Sequence, residues 1–80
     1  MEDAMPHSPR DQLANAGFNP ADTKMLLKVF DSVSASYPSN PAAARIIAES
    51  LNTMASMVGT RQPAKLAAYA VRRARLVRSA

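Results

Sequence analysis

Four prolines constrain the fold of this chain most strongly, because each stands at a position where a helix can begin. They occur as Ser8-Pro9, Asn19-Pro20, Asn40-Pro41 and Gln62-Pro63. Proline suits the first position of a helix, where its missing N–H is not needed and its fixed φ is already helical. Ser and Asn are good N-caps, whereas Gln is a poor one. The pattern predicts helices that begin at residues 9, 20, 41 and 63.

The ends of the helices follow from glycines and from one further proline. Gly17 and Gly59 can adopt the left-handed conformation that ends a helix, and Pro38 excludes Tyr37 from the α region. The predicted helices cover residues 9–16, 20–36, 41–58 and 63–78. We therefore expect an all-α protein, a small three-helix up-down-up bundle with a short extra N-terminal helix. Residues 1–7 are expected to be a disordered tail before a single domain, residues 8–80.

The third predicted helix, residues 41–58, carries a narrow polar face and a wide apolar sector. The polar face comprises Arg45, Glu49, Asn52 and Ser56, and the predicted inward positions are Ala44, Ile47, Leu51, Met54, Ala55 and Val58. Ile46 and Met57 lie on the flank, so more than one neighbouring helix is needed to cover this sector. Tyr69 and Leu76 form a smaller apolar flank on the last helix. These four residues are the candidate protein interface.

Eighty residues bury a modest core, so a self-sufficient monomer and a dimer both stay open. The chain has no cysteine, a single histidine (His7, in the predicted tail) and no glycine-rich phosphate loop. We therefore expect no catalytic site, no metal site and no cofactor. The start of the chain lacks the pattern of a signal peptide, and no apolar run approaches the roughly 20 residues that span a bilayer. A cytoplasmic protein without membrane contact is expected.

The charge is distributed unevenly along the chain. Residues 1–60 contain four basic and six acidic side chains, whereas residues 61–80 contain six basic side chains and no acidic one. Such a field attracts phosphates or acidic proteins. The candidate phosphate or acidic-partner contacts are Lys65, Arg72, Arg73, Arg75 and Arg78. The alternatives are that these cations are only solvated, that they complement the helix dipole, or that they pair with the chain's own acids.

Two function hypotheses follow. The first is a small non-enzymatic protein that acts through a protein partner or through self-association. The second is non-specific nucleic-acid binding through the basic last helix. The turn at Gly59 before that helix is similar to a helix-turn-helix. However, the arginines lie at the far end of the helix and its beginning has few groups to contact bases, so only backbone contacts are expected.

From Phe18 onward the layout resembles short uncharacterised helical proteins of alphaproteobacteria. The residues that carry the resemblance are Phe18-Asn19-Pro20 with Leu26, Leu27 and Phe30, then Ile47-Ala48 and Leu51, then Gly59 to Leu66. Those proteins tend to have Asp before the last helical proline, where this chain has Gln62. The resemblance implies a bacterial cytoplasmic helical protein and implies no activity.

Overall fold

The computed structural model describes residues 8–79, with side chains as far as Leu76. The helices are α1 (Pro9–Ala14), α2 (Pro20–Ser34), α3 (Pro41–Thr53) with a π-helical turn (Met54–Val58), and α4 (Pro63–Ser79). No strand occurs in these residues, so the all-α prediction is confirmed. The predicted disordered tail, residues 1–7, lies outside the described residues, as do the side chain of Arg78 and all of Ala80. None of the helices within residues 8–79 is both long and apolar enough to cross a bilayer.

The first three helix starts form as the caps predict. Ser8 Oγ accepts a hydrogen bond from the Asp11 amide at 3.1 Å, and Asn19 Oδ1 accepts one from the Asp22 amide at 2.8 Å. Asn40 does the same for the Ala43 amide at 3.1 Å. Each such cap stabilises a helix by about 1 kcal/mol, because it satisfies an amide that has no partner within the helix.

Helix α3 is the centre of the fold, since it contacts α1, α2 and α4. Its fully buried Ile47 and Leu51 pack in one core with Leu13 of α1, Leu26 of α2 and Leu66 of α4. Burying each such side chain contributes roughly 1.5–3 kcal/mol. The remaining buried apolar residues are Val29, Phe30, Val33, Ala43, Ala48, Ala55, Ala70 and Ala74. The many alanines let the helices approach closely, as their sequence pattern predicts.

The end of α3 differs from the prediction of one continuous α-helix to residue 58. The π turn winds more residues into each turn than an α-helix does. Val58, predicted to face inward, is consequently carried towards the edge of the buried sector and is 66% exposed. Gly59, with φ of 82°, then ends the helix in the left-handed conformation, as predicted.

The buried sector of α3 is also centred slightly differently from the predicted one. It includes Ala43, Ala48 and Ser50, whereas Ala44 and Met54 are only half-buried. The buried Ser50 hydroxyl donates to the Ile46 carbonyl at 2.7 Å, so its burial leaves no polar atom without a partner. Helix α3 contacts α1, α2 and α4, which together cover this sector.

Candidate functional site

Four of the nine predicted contact residues line a groove of about 410 Å³ where the end of α3 meets α4. We call it the α4 groove. It is lined by Met54, Lys65, Ala68, Tyr69, Val71, Arg72 and Arg75. Met54 and Val71 are partly buried and line the side of the groove that packs against the hydrophobic core. The groove therefore combines apolar walls with basic side chains.

Helical periodicity explains why these α4 residues share one face. Residues seven apart on an α-helix lie nearly above one another, about 10 Å apart along the axis. Lys65 and Arg72 have this spacing, and Tyr69 lies between them. Ala68 and Arg75 belong to the same face, one row to the side. The core-facing stripe of α4, which includes Leu66, Ala70 and Ala74, lies on the opposite side and holds this face outward.

Lys65 and Arg72, the two cations seven residues apart, are not neutralised by any side chain among the described residues. Lys65 and Arg72 are exposed, and no ion pair involves either of them within residues 8–76. Two acids of the bundle are engaged elsewhere: Asp22 binds Arg61 and Asp31 binds Arg10. The local field of the groove is therefore positive and open to an acidic ligand.

Arg73, predicted as a phosphate or acidic-partner contact, is directed at a neighbouring side chain. Its Nη1 donates to the Tyr69 hydroxyl at 3.0 Å, and its guanidinium carbon lies 5.8 Å from the centre of the Tyr69 ring. These two residues are one helical turn apart. Arg73 thus holds a wall of the groove in place, because both contacts restrict the orientation of the ring.

The other predicted residues lie outside the α4 groove. Ile46 is half-buried, so the flank of α3 is partly covered by its neighbours. Met57 is 81% exposed on the π turn, and Leu76 is 67% exposed near the end of α4. Arg78 lies beyond the described side chains. Of the predicted interface, only Tyr69 belongs to the groove, where it joins three of the predicted basic contacts.

Sequence reasoning missed part of this site. Met54 was placed in the core, yet it lines the groove, and its inward position in the sequence pattern gave no signal of this. A second groove of about 400 Å³ between α2 and α4 was not predicted. It is lined by Met25, Lys28, Val29, Ser32, Pro63, Ala64 and Ala67. Met25 and Met54 therefore line different grooves.

The described residues contain no group of three His, Asp or Glu side chains arranged to hold a metal ion. No protein-family model matches the chain, and no curated protein or solved structure matches it either.

Proposed function

We propose that this is a small non-enzymatic protein that binds another protein through the α4 groove. The observation that carries the proposal is the combination of apolar walls with Lys65 and Arg72, which have no ion-pair partner among the described residues. Protein interfaces are typically built from such apolar and aromatic centres with a polar rim. We place the protein in the bacterial cytoplasm, in line with the resemblance of its sequence.

The proposal includes an alternating, up-down-up order of the three long helices. The connection between the π turn and α4 has only four residues, and short connections favour antiparallel neighbours. Met54, near the end of α3, and Lys65, near the start of α4, line the same groove, which supports this order. The groove depends on it, because a parallel pair would separate these two residues.

A photo-crosslinking amino acid at Ala68 tests the proposed site in cells of the native host. Ala68 is exposed and lies in the groove, and Ala42, exposed at the start of α3, is the matched control. We expect a distinct protein adduct from position 68 and none from position 42. Equal adducts from both positions, or none from position 68, would contradict a protein-binding groove.

Self-association is a special case, and the crosslink at position 68 yields an adduct of two copies of the chain only if the dimer uses the α4 groove. The exposed Met57 and Val58 offer an uncharged surface for it, whereas two α4 grooves facing each other would repel. Sedimentation velocity at micromolar concentration measures the oligomeric state directly. A strict monomer leaves a different protein as the partner of the groove.

Non-specific nucleic-acid binding is the second candidate, and the exposed Lys65 and Arg72 favour it. A salt titration with duplex DNA tests it, because each neutralised phosphate contributes about −0.9 to the slope of log affinity against log salt. If this candidate is correct, removing both positive charges reduces the slope by about 2. Absence of binding at low salt removes the candidate.

A further inference from the structure

We propose that the partner segment is an acidic amphipathic helix of about three turns, which lies along α4 in the α4 groove. This inference rests on the proposed function and specifies the partner's chemistry. The groove face extends from Lys65 to Arg75, about 15 Å along the helix axis, which corresponds to about ten residues of a partner helix. The occupant is thus a short segment rather than a broad surface.

The positions of the cations define where the acids of the partner must be. Lys65 and Arg72 are separated by seven residues, so two carboxylates seven residues apart on a parallel or antiparallel helix meet both of them. The apolar walls formed by Met54, Tyr69 and Val71 lie beside these cations and receive an apolar ridge. This arrangement matches an amphipathic helix that binds by its apolar face in a groove.

Ala68 provides the room for such a helix. It is exposed on the groove face between Lys65 and Arg72 and has only a methyl side chain. Helices packed over small residues approach to the short end of the usual range, about 8 Å between axes. A partner ridge can therefore descend between the two cations, where their carboxylate contacts gain from reduced solvation.

A second copy of this chain does not offer the required helix. Asp22 and Asp31 are held by Arg61 and Arg10. The other acids within the described residues, Asp11 and Glu49, lie on different helices, so no described helix presents two available carboxylates seven residues apart. Charge complementarity therefore indicates a different protein as the source.

Designed peptides test the proposal without knowledge of the natural partner. The probe is a fluorescent helix of about 15 residues, the length at which isolated helices begin to be stable. It consists of alanine, leucine and glutamate, with leucines on one face and two glutamates seven residues apart beside them. One control peptide has the same composition in scrambled order, and another has lysines in place of the glutamates. Fluorescence anisotropy at low salt measures binding to the full chain.

Charge reversal in the protein provides the decisive comparison. We expect Lys65→Glu with Arg72→Glu to weaken binding of the acidic helix by about tenfold or more, and to allow binding of the lysine helix. The matched control is Lys24→Glu with Lys28→Glu, which makes the same change in net charge on exposed positions of α2. This control is expected to change the affinity by less than about threefold.

Three results would overturn the proposal even if the acidic helix binds. One is equal binding of the scrambled peptide, and another is equal weakening by the α2 control. The third is that a single-stranded oligonucleotide binds more tightly than the acidic helix and that the same α4 variants abolish its binding. If the acidic peptide does not bind while position 68 still yields a protein adduct in cells, the proposal of an acidic-helix partner is wrong. The proposal that the α4 groove binds a protein then still stands.

Discussion

The role of Arg61 is the one that differs most from what the sequence indicated. It belongs to the basic C-terminal segment by position, yet its guanidinium is used within the fold. Its Nε donates to Asp22 at 2.8 Å, its Nη1 donates to the Ala55 carbonyl at 2.7 Å, and it lies 5.5 Å from the centre of the Phe18 ring. Carbonyls at the end of a helix lack partners within it, so this contact caps the π turn. Arg61, which was counted with the basic C-terminal segment, therefore has a structural role in linking the π turn to Asp22.

Substituting Arg61 tests that role. Arg61→Met retains much of the side chain's apolar length but leaves the Ala55 carbonyl without its donor and Asp22 without its ion pair. We expect the free energy of unfolding to fall by about 1–2 kcal/mol, measured by urea denaturation. Arg45→Met, at an exposed position of α3, should change it by no more than about 0.5 kcal/mol. Equal effects of the two substitutions would show that Arg61 is only a surface charge.

Ser39 has an unfavourable backbone conformation, with φ of 58° in the connection before α3. A side chain in the left-handed region costs about 1–2 kcal/mol, whereas glycine adopts this region freely. After the entropy that glycine loses on folding, we expect Ser39→Gly to stabilise the protein by about 0.5–1 kcal/mol. Ser36→Gly, at an exposed position without positive φ, should instead destabilise it. If thermal unfolding shows that Ser36→Gly is stabilising and Ser39→Gly is destabilising, the backbone at Ser39 is not strained.

At the scale of the helices, local signals predicted the starts better than the ends. Ser8, Asn19 and Asn40 act within three residues of themselves, so their function is encoded in the adjacent sequence. Helices α1 and α2 each end two residues before the predicted limit, because the last turn continues as isolated turns rather than as helix. The π turn had no local signature in the sequence, and its contact with Arg61 comes from a residue that lies after the turn.

Helix α1 is too short to be stable alone and is joined to α2 by one exposed ion pair. Arg10 Nε and Nη2 donate to the two carboxylate oxygens of Asp31, at 3.0 and 3.1 Å. The hydrogen bond from Arg10 is the main cause that lowers the pKa of Asp31 below its ordinary value, and the positive charge adds to it. The pair thus stabilises the folded state where the carboxylate is ionised in both states. This contribution is lost as the pH falls through the folded-state pKa.

We therefore expect Arg10→Gln to raise the pKa of Asp31 towards its ordinary value. Carbon-detected NMR titration of the Asp31 carboxyl measures this shift directly. Stability near neutral pH should change little, because an exposed pair contributes little there. An unaltered Asp31 titration in the variant would mean that the ion pair is absent in solution.

At the scale of the whole molecule, the sequence predicted which faces turn inward but not how they combine into a groove. The helical period of α4 places Lys65, Ala68 and Arg72 on the face opposite Leu66 and Ala70, and the three are exposed. It could not reveal that Met54 of the π turn meets them, because that contact depends on how α3 and α4 pack. For the same reason, Tyr69 was assigned to an apolar flank, whereas it lies between the cations of the α4 groove.

The small core makes the whole fold sensitive to single buried residues, and two adjacent isoleucines test this. Ile47 is fully buried in the core, whereas Ile46 is only half-buried on the flank of α3. Replacement by alanine changes helix propensity equally at both positions, so the difference between the variants isolates burial. We expect Ile47→Ala to lower the free energy of unfolding by about 2–5 kcal/mol. We expect about 1 kcal/mol or less for Ile46→Ala, because less apolar area is lost from the packed interior.

The consequence extends beyond stability, because Ile47 contributes to the one core that holds all four helices. A loss of several kcal/mol is comparable to the entire stability of a small domain, so Ile47→Ala should populate the unfolded state at moderate temperature. Calorimetry and circular dichroism should show loss of all the helices in one transition. Similar effects of the two substitutions would indicate that Ile46 is covered in solution by another molecule, and a dimer would then be sought at that flank.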